Sequence, residues 1–443
     1  MNFEIDIPGE EYIVRIIGKD GREILAGGKE VRWDEDEWHG LLESSKGGNL
    51  QYEVYVRNGS GWRLYKFANK VAEEEIDPYI SYRLIEPTYL QYSGMSLRQR
   101  NITNFDEEVI WNNPSPCDEN RNYCINCHVP RNQYRDHSSL FHTRGSRGGT
   151  IIMTGDSIVK MDLNTDRTLS AGVYPSWHPT LDLIAFSTNT TSQAFPLNSN
   201  RKVEVYDSKS DLILYDIRTH TISDISSGED VLETFPGWSP DGKKIYYSAA
   251  RYPEGADADN LVRYTSLIHY DILSRDFDPA TRTFSKPDTI VYASADSMSA
   301  MIPRISPDGK FLLYCKAPYG SFHVWHKESD LYLTDLSTGE ERILSNANSD
   351  NAESYHSWSS NSRWVVFSSR RDDGNYTRPY IAYISKEGND SKAFVVPQES
   401  TAYYRQLMKS YNAAEFMAEP FAFDREDILP FIRETGRHTE FTP

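Results

Sequence analysis

From about residue 77 onward, short runs of alternating apolar and polar residues recur between turns, and the same two signatures return several times. The first is an aromatic or aliphatic residue, then Ser-Pro-Asp-Gly, then a β-rich run. It reads Trp238-Ser239-Pro240-Asp241-Gly242 before Ile245-Tyr246-Tyr247, and Ile305-Ser306-Pro307-Asp308-Gly309 before Phe311-Leu312-Leu313-Tyr314. Weaker copies lead from Trp177-His178-Pro179-Thr180 into Leu183-Ile184-Ala185-Phe186, and from Trp358-Ser359-Ser360-Asn361 into Trp364-Val365-Val366-Phe367. Proline presets φ at the second position of a tight turn, and Asp and Gly take the remaining turn geometry, so each copy predicts a hairpin.

The second signature follows after a variable insertion. Ser210-Asp211-Leu212-Ile213-Leu214-Tyr215-Asp216 matches Ser329-Asp330-Leu331-Tyr332-Leu333-Thr334-Asp335, with Leu267-Ile268-His269-Tyr270-Asp271 and Tyr380-Ile381-Ala382-Tyr383-Ile384 as looser versions. Each predicts a third strand, then a turn and a fourth, which is the composition of a propeller blade. Four clear blades are centred near 170–226, 232–292, 298–346 and 351–397. A degenerate one is built from Tyr79 to Leu84, Ser96 to Ile102 and Glu107 to Ile110. Another comprises Gly149 to Met153, Ser157 to Met161 and Thr168-Leu169, and opens at a cysteine-containing segment. The expected fold is all-β with six blades, and Trp177, Trp238, Ile305 and Trp358 should be equivalent.

Residues 1–76 stand apart. Tyr12 to Ile17, Lys29 to Trp33, Gln51 to Val56 and Trp62 to Phe67 alternate between Asp-Gly and Asn-Gly turns, which predicts a small immunoglobulin-like β-sandwich ending near Asp77-Pro78. Residues 77–398 form the propeller. In 399–443, Tyr403, Tyr404, Leu407, Met408 and Tyr411 are helically spaced, which predicts a helix and tail packed on the propeller.

The cysteine-containing segment brings in chemistry. Residues 124–128 read Cys-Ile-Asn-Cys-His in a chain with four cysteines. Haem c needs this grouping, because two thiols must reach two vinyl groups of one porphyrin while the adjacent imidazole reaches its iron. Cys124 and Cys127 are the candidate anchors and His128 the candidate proximal ligand, within a haem segment spanning 117–145. Competing readings are a zinc knuckle with Cys117, a disulfide from Cys117 to one of the pair, and a thioredoxin-like redox pair. The zinc reading lacks the second pair of ligands such a site usually has. The redox pair wants a strand and a long helix, whereas Pro114, Pro116 and Pro130 predict a loop. Cys117 and Cys315 are left as a pair or as two buried thiols. For the sixth iron ligand His142 is favoured, returning fourteen residues after His128, with His137 and Met153 as alternatives. Arg131, Arg135 and Arg144 are candidates for the haem propionates.

Charge narrows the partners. With 47 basic and 65 acidic residues the net charge is −18, which disfavours nucleic acid and anionic membrane surfaces. No apolar run is long enough to span a bilayer. Asp257-Ala258-Asp259 and Arg371 to Asn375 lack calcium-loop spacing, and there is neither a Gly-x-Ser-x-Gly elbow nor a phosphate loop.

The Trp-Ser-Pro-Asp-Gly blades with a trailing Asp-Leu-x-Leu-x-Asp strand resemble the TolB-type β-propeller repeat. Together with the C-x-N-C-H segment, Phe141-His142-x-Arg144-Gly145, Gly148-Gly149-Thr150 and Gly172 to Pro179, roughly residues 77 to 415 resemble TolB-like, cytochrome c-related proteins of Bacteroides-type bacteria. The resemblance implies a six-bladed propeller of the periplasm or cell surface. Thioether attachment in bacteria occurs outside the cytoplasmic membrane, so a signal or lipoprotein leader is expected to be missing from this sequence. The leading expectation is one covalent haem c, held by Cys124, Cys127 and His128 with His142 and Arg144 beside it, serving electron transfer or redox sensing with an envelope protein partner. The rival is a haem-free interaction scaffold. A weaker third is an enzyme taking a glycan or peptide in the propeller channel.

Overall fold

A computed structural model describes residues 2–87, 94–113, 124–145, 148–155, 157–195 and 203–442. The chain divides into two compact units, one of residues 1–76 with 101–106 and 396–407, the other of 77–100, 107–395 and 408–443. No helix is long and apolar enough to cross a membrane.

In the first unit, strands Glu23–Gly27, Glu11–Ile17, Asn49–Asn58 and Gly61–Lys70 form one antiparallel sheet in that spatial order. Its alternation buries Tyr12, Val14, Ile16, Leu50, Tyr52, Val54 and Val56 on one face. The layer over that face differs from a second sheet of a sandwich. It is helix Glu35–Ser44, contributing Trp38 and Leu41, together with the two-stranded ribbon Asn2–Glu4 and Glu30–Arg32, which adds Val31. Sequence alternation misses this helix because it is short and mostly polar. Its start is nonetheless written in Asp34, whose side chain caps the amides of Asp36 and Glu37, with three acidic residues in the first turn.

The second unit is a six-bladed propeller. Blades 2 to 6 open with innermost strands Cys124–Pro130, Val173–Trp177, Val231–Trp238, Ser299–Ile305 and Glu353–Trp358. Blade 1 takes its innermost strand from the far end of the chain: Ser410–Met417 pairs antiparallel with Tyr79–Ile85, followed outward by Ser96–Asn101 and Glu107–Asn112. Each innermost strand touches the next, and that of blade 6 touches that of blade 1, so the ring closes. The long helix expected over residues 399–415 is therefore corrected. Only Tyr403–Gln406 is helical, and the aromatic run ends as a fully buried closing strand. Beyond it, helix Arg425–Arg433 leads to Arg437–His438 and Glu440–Phe441, which add parallel fifth strands to blades 2 and 3.

The repeat chemistry is visible atom by atom. The Ser239 hydroxyl donates to Asp241 Oδ1 at 2.7 Å and accepts from the Lys244 amide at 2.9 Å, while Gly242 supplies φ +68°. Ser306 with Asp308 and Phe311 repeats this, as does Ser359 with Asn361 and Trp364. In the degenerate copy the His178 imidazole substitutes, its Nδ1 accepting from the amides of Thr180 and Leu181. Trp177, Trp238, Ile305 and Trp358 each end an innermost strand. Two of the indoles tie blades together, Trp177 donating to the Val129 carbonyl and Trp358 to that of Arg304, each at 3.1 Å. In blade 4 the looser second signature is displaced: residues 261–267 form two single-turn helices, and the strand starts only at Asp271.

Close approach of blades fixes one glycine. A Cβ on Gly237 would lie 2.5 Å from the Pro303 carbonyl oxygen of the next blade. Gly237→Ala is expected to cost about 1–3 kcal/mol through forced separation of blades 4 and 5. Denaturant unfolding checks this; an unchanged midpoint would contradict the tight packing.

Candidate functional site at the propeller channel

Every innermost strand carries a bulge at the same place. The ladder to the second strand slips at Tyr174, Phe235, Ile302, Tyr355 and Ala413, each at positive φ between 37° and 61° although none is glycine. In blade 2 the slip falls between Ile125 and Cys127. Non-glycine residues held at positive φ are costly, and bulges re-aim side chains, so this recurrence around one axis marks a built feature.

Aligning the six strands on that bulge gives Asn126-Cys127-His128-Val129, Tyr174-Pro175-Ser176-Trp177, Phe235-Pro236-Gly237-Trp238, Ile302-Pro303-Arg304-Ile305, Tyr355-His356-Ser357-Trp358 and Ala413-Ala414-Glu415-Phe416. The third position is small in three blades and is His128, Arg304 and Glu415 in the others. The cysteine–histidine segment is thus the blade 2 version of a strand element, where proline counting predicted a loop. Around the bulges lies a cavity of about 50 Å³, lined by Arg83, Cys127, His128, Tyr174, Phe235, Ile302, Arg304 and Tyr355 among others.

His128 is 1% exposed, and neither ring nitrogen has a hydrogen-bond partner among the described residues. The Ser81 main chain favours its protonation weakly, without good hydrogen-bond geometry. Burial, reinforced by Arg83, pushes its pKa down to about 3, so the imidazole is neutral at ordinary pH. Arg83 reaches the Cys127 thiol at 3.9 Å and also bonds Asn412. Arg304 contacts Glu415 at 3.1 Å and the Tyr355 hydroxyl at 3.3 Å, and that hydroxyl donates to Glu415 at 3.1 Å. Burial raises the pKa of Glu415 and holds the Tyr174 hydroxyl well above its usual value.

The remaining site residues separate. His142 pairs with Cys127 in the ladder and His128 with Phe141, so the two histidines point to opposite faces of blade 2. His142 does not line the cavity; it is buried, with Nδ1 3.5 Å from Thr150 Oγ1. The expected distal position for His142 is corrected on this ground. His137 is exposed and 3.3 Å from Glu419, while Met153 lies in the core between blades 1 and 2. Arg131 pairs with Asp136 and Arg135 with Ser360. Arg144 ends its strand exposed, and its charge acts on both His142 and Tyr174. Cys315 is a buried free thiol pushed up to about 12 by burial. Cys117 and the Cys124 side chain lie outside the described residues. Asp257 and Asp373 bond the amides two and three residues on, as in ordinary Asx turns.

Sequence reading missed Arg83, Arg304, Tyr174, Phe235, Tyr355 and Glu415. Aligning the innermost strands rather than the turns would have exposed all but Arg83.

No protein-family model and no curated protein sequence matches the chain. Solved structures do. TolB from Acinetobacter baumannii is similar at 13% identity and a TM-score of 0.47, over 87% of this chain and 85% of that one. A hypothetical selenium-binding protein from Sulfolobus tokodaii is similar at 9% identity and a TM-score of 0.47, over 80% of this chain and 96% of the other. Kuenenia stuttgartiensis hydrazine synthase is similar at 10% identity and a TM-score of 0.49, over 77% of this chain and 46% of the other. The six-bladed assignment itself rests on the closed ring of innermost strands.

Proposed function

We propose that the chain is an envelope redox protein that carries one haem c at the mouth of its propeller channel and exchanges electrons with a protein partner. The carrying observation is the buried, neutral His128, with both ring nitrogens unpartnered, beside the Cys127 thiol in one cavity. An imidazole in that state suits a metal, and the residues present fit the group. Cys124 and Cys127 would hold haem c, each thiol adding across one vinyl group, and His128 would ligate the iron. Haem c supplies reversible one-electron chemistry. The protein's own share is to keep His128 unprotonated by burial and to place the positive charges of Arg83 and Arg304 at the cavity. His142, which does not line the cavity, would not hold the group.

A second reading, a haem-free interaction scaffold, is favoured by one observation. The segment occupies a bulge that all six blades share, so the fold alone accounts for its backbone. Protein made in a host with cytochrome c maturation separates the two. The expected result is the added mass of one haem that survives denaturation, lost in Cys127→Ser with Cys124→Ser. An unmodified mass, with a control cytochrome matured in the same cells, would leave the scaffold.

A further inference from the structure

Strand Gly61–Lys70 is the outer edge of the N-terminal sheet, and among the described residues no strand pairs with its free side. Its ladder to Asn49–Asn58 runs unbroken over the strand's ten residues, with no bulge and no proline. It is exposed almost throughout, with Trp62 46%, Leu64 42% and Phe67 47% accessible. Long, flat, apolar edges invite another strand, and proteins usually blunt them with bulges, proline or shortness. None of those devices is present. Charge is: Arg63, Lys66 and Lys70 lie on this strand with no acidic residue, in a chain of net −18. Lys66 is held by Glu53 at 2.6 Å, whereas neither Arg63 nor Lys70 forms an ion pair among the described residues.

We propose that this edge receives an extended segment of a partner protein, apolar with an acidic residue on each face, as an added antiparallel or parallel strand. Main-chain hydrogen bonds supply the affinity. Carboxylates facing Arg63 and Lys70, with apolar side chains beside Trp62, Leu64 and Phe67, supply the selectivity. A second copy of this chain is the poorer occupant, because edge against edge sets three cations against three.

The probe is a fluorescent ten-residue valine peptide carrying two glutamates seven residues apart, so that they can face Arg63 and Lys70, titrated into the full chain, with lysine in place of both glutamates as control. The glutamate peptide is expected to bind and to slow amide exchange across residues 61–70. The double variant Arg63→Glu, Lys70→Glu, both at exposed positions, should melt as the parent does and bind about tenfold more weakly or less. Failure of the glutamate peptide to bind, equal binding of the lysine peptide, or equal binding by the double variant overturns the proposal. So does protection of 61–70 without peptide in a protein that sediments as a dimer, which would assign the edge to a second copy.

Discussion

A chain ending at Leu407 is expected to lose the propeller, although it keeps every residue of the N-terminal unit. The truncation removes Ser410–Met417, the innermost strand of blade 1, along with the helix and two short strands that follow. Tyr411, Phe416 and Met417 are each at most 1% exposed, so their burial alone stabilises the fold by about 5–9 kcal/mol. Whole domains are stable by only about 5–15 kcal/mol. The loss also strips the ladder partners from Tyr79–Ile85 and opens the ring between blades 6 and 1, where the Phe416 amide donates to Ser357 Oγ at 3.2 Å. Circular dichroism and thermal melting should show no cooperative transition for the propeller. A chain ending at Gly436 keeps the closing strand and loses only the parallel additions to blades 2 and 3, so it should melt cooperatively at a lower temperature. If the chain ending at Leu407 melted like the full chain, closure through the C-terminal strand would be wrong.

That closure shows what a local reading of the sequence can see. Four blades were legible because Ser-Pro-Asp-Gly, whole in two of them and degraded to His178-Pro179-Thr180 and Ser359-Ser360-Asn361 in the others, dictates a turn by its own backbone chemistry, and the residue before it ends an innermost strand. Tyr403 to Tyr411 read as a helix because one strand of a distant blade has no local turn partner. Its pairing with Tyr79–Ile85 is separated by most of the chain. The site was half legible for a related reason. Cys127 and His128 carry a spacing that stands out in one dimension, whereas Arg304 and Glu415 stand out only when six strands are laid side by side. His142 was misplaced because loop length limits how far a residue strays but not which face of a sheet it takes. Ladder parity decides that, and parity depends on where the blade 2 bulge falls.

Acidification from pH 7 to pH 5 is expected to lower stability by about 5 kcal/mol in the haem-free protein. His128, His142 and His356 are fully buried, and burial pushes each down to about 3 from an ordinary value of 6.5, while burial holds His178 at about 4. The unfolded chain therefore takes up a proton at each as pH falls through 6.5, while the folded chain does not until pH approaches 4 at His178 and 3 at the others. Stability present above pH 6.5 is lost progressively between those limits, at about 2 kcal/mol per histidine by pH 5. Asp207 acts in the opposite sense. Burial raises it, and Asp330 likewise, to about 6, so the folded chain protonates there first and regains about 1 kcal/mol at each between pH 6 and pH 5. The histidines win because they are four against two and begin higher. Urea unfolding at pH 7, 6 and 5 measures the slope, and His142→Phe should remove about a third of it, since among the described residues its ring makes one long hydrogen bond, to Thr150. His356 is harder to replace, because its Nε2 faces the carbonyls of Ile302 and Leu313 at 2.8 and 3.1 Å across the blade 5 to blade 6 junction. A stability that stays flat or rises toward pH 5 would mean that these imidazoles are protonated in the folded chain, and with that the dry interior assigned to blades 2, 3 and 6 would fail.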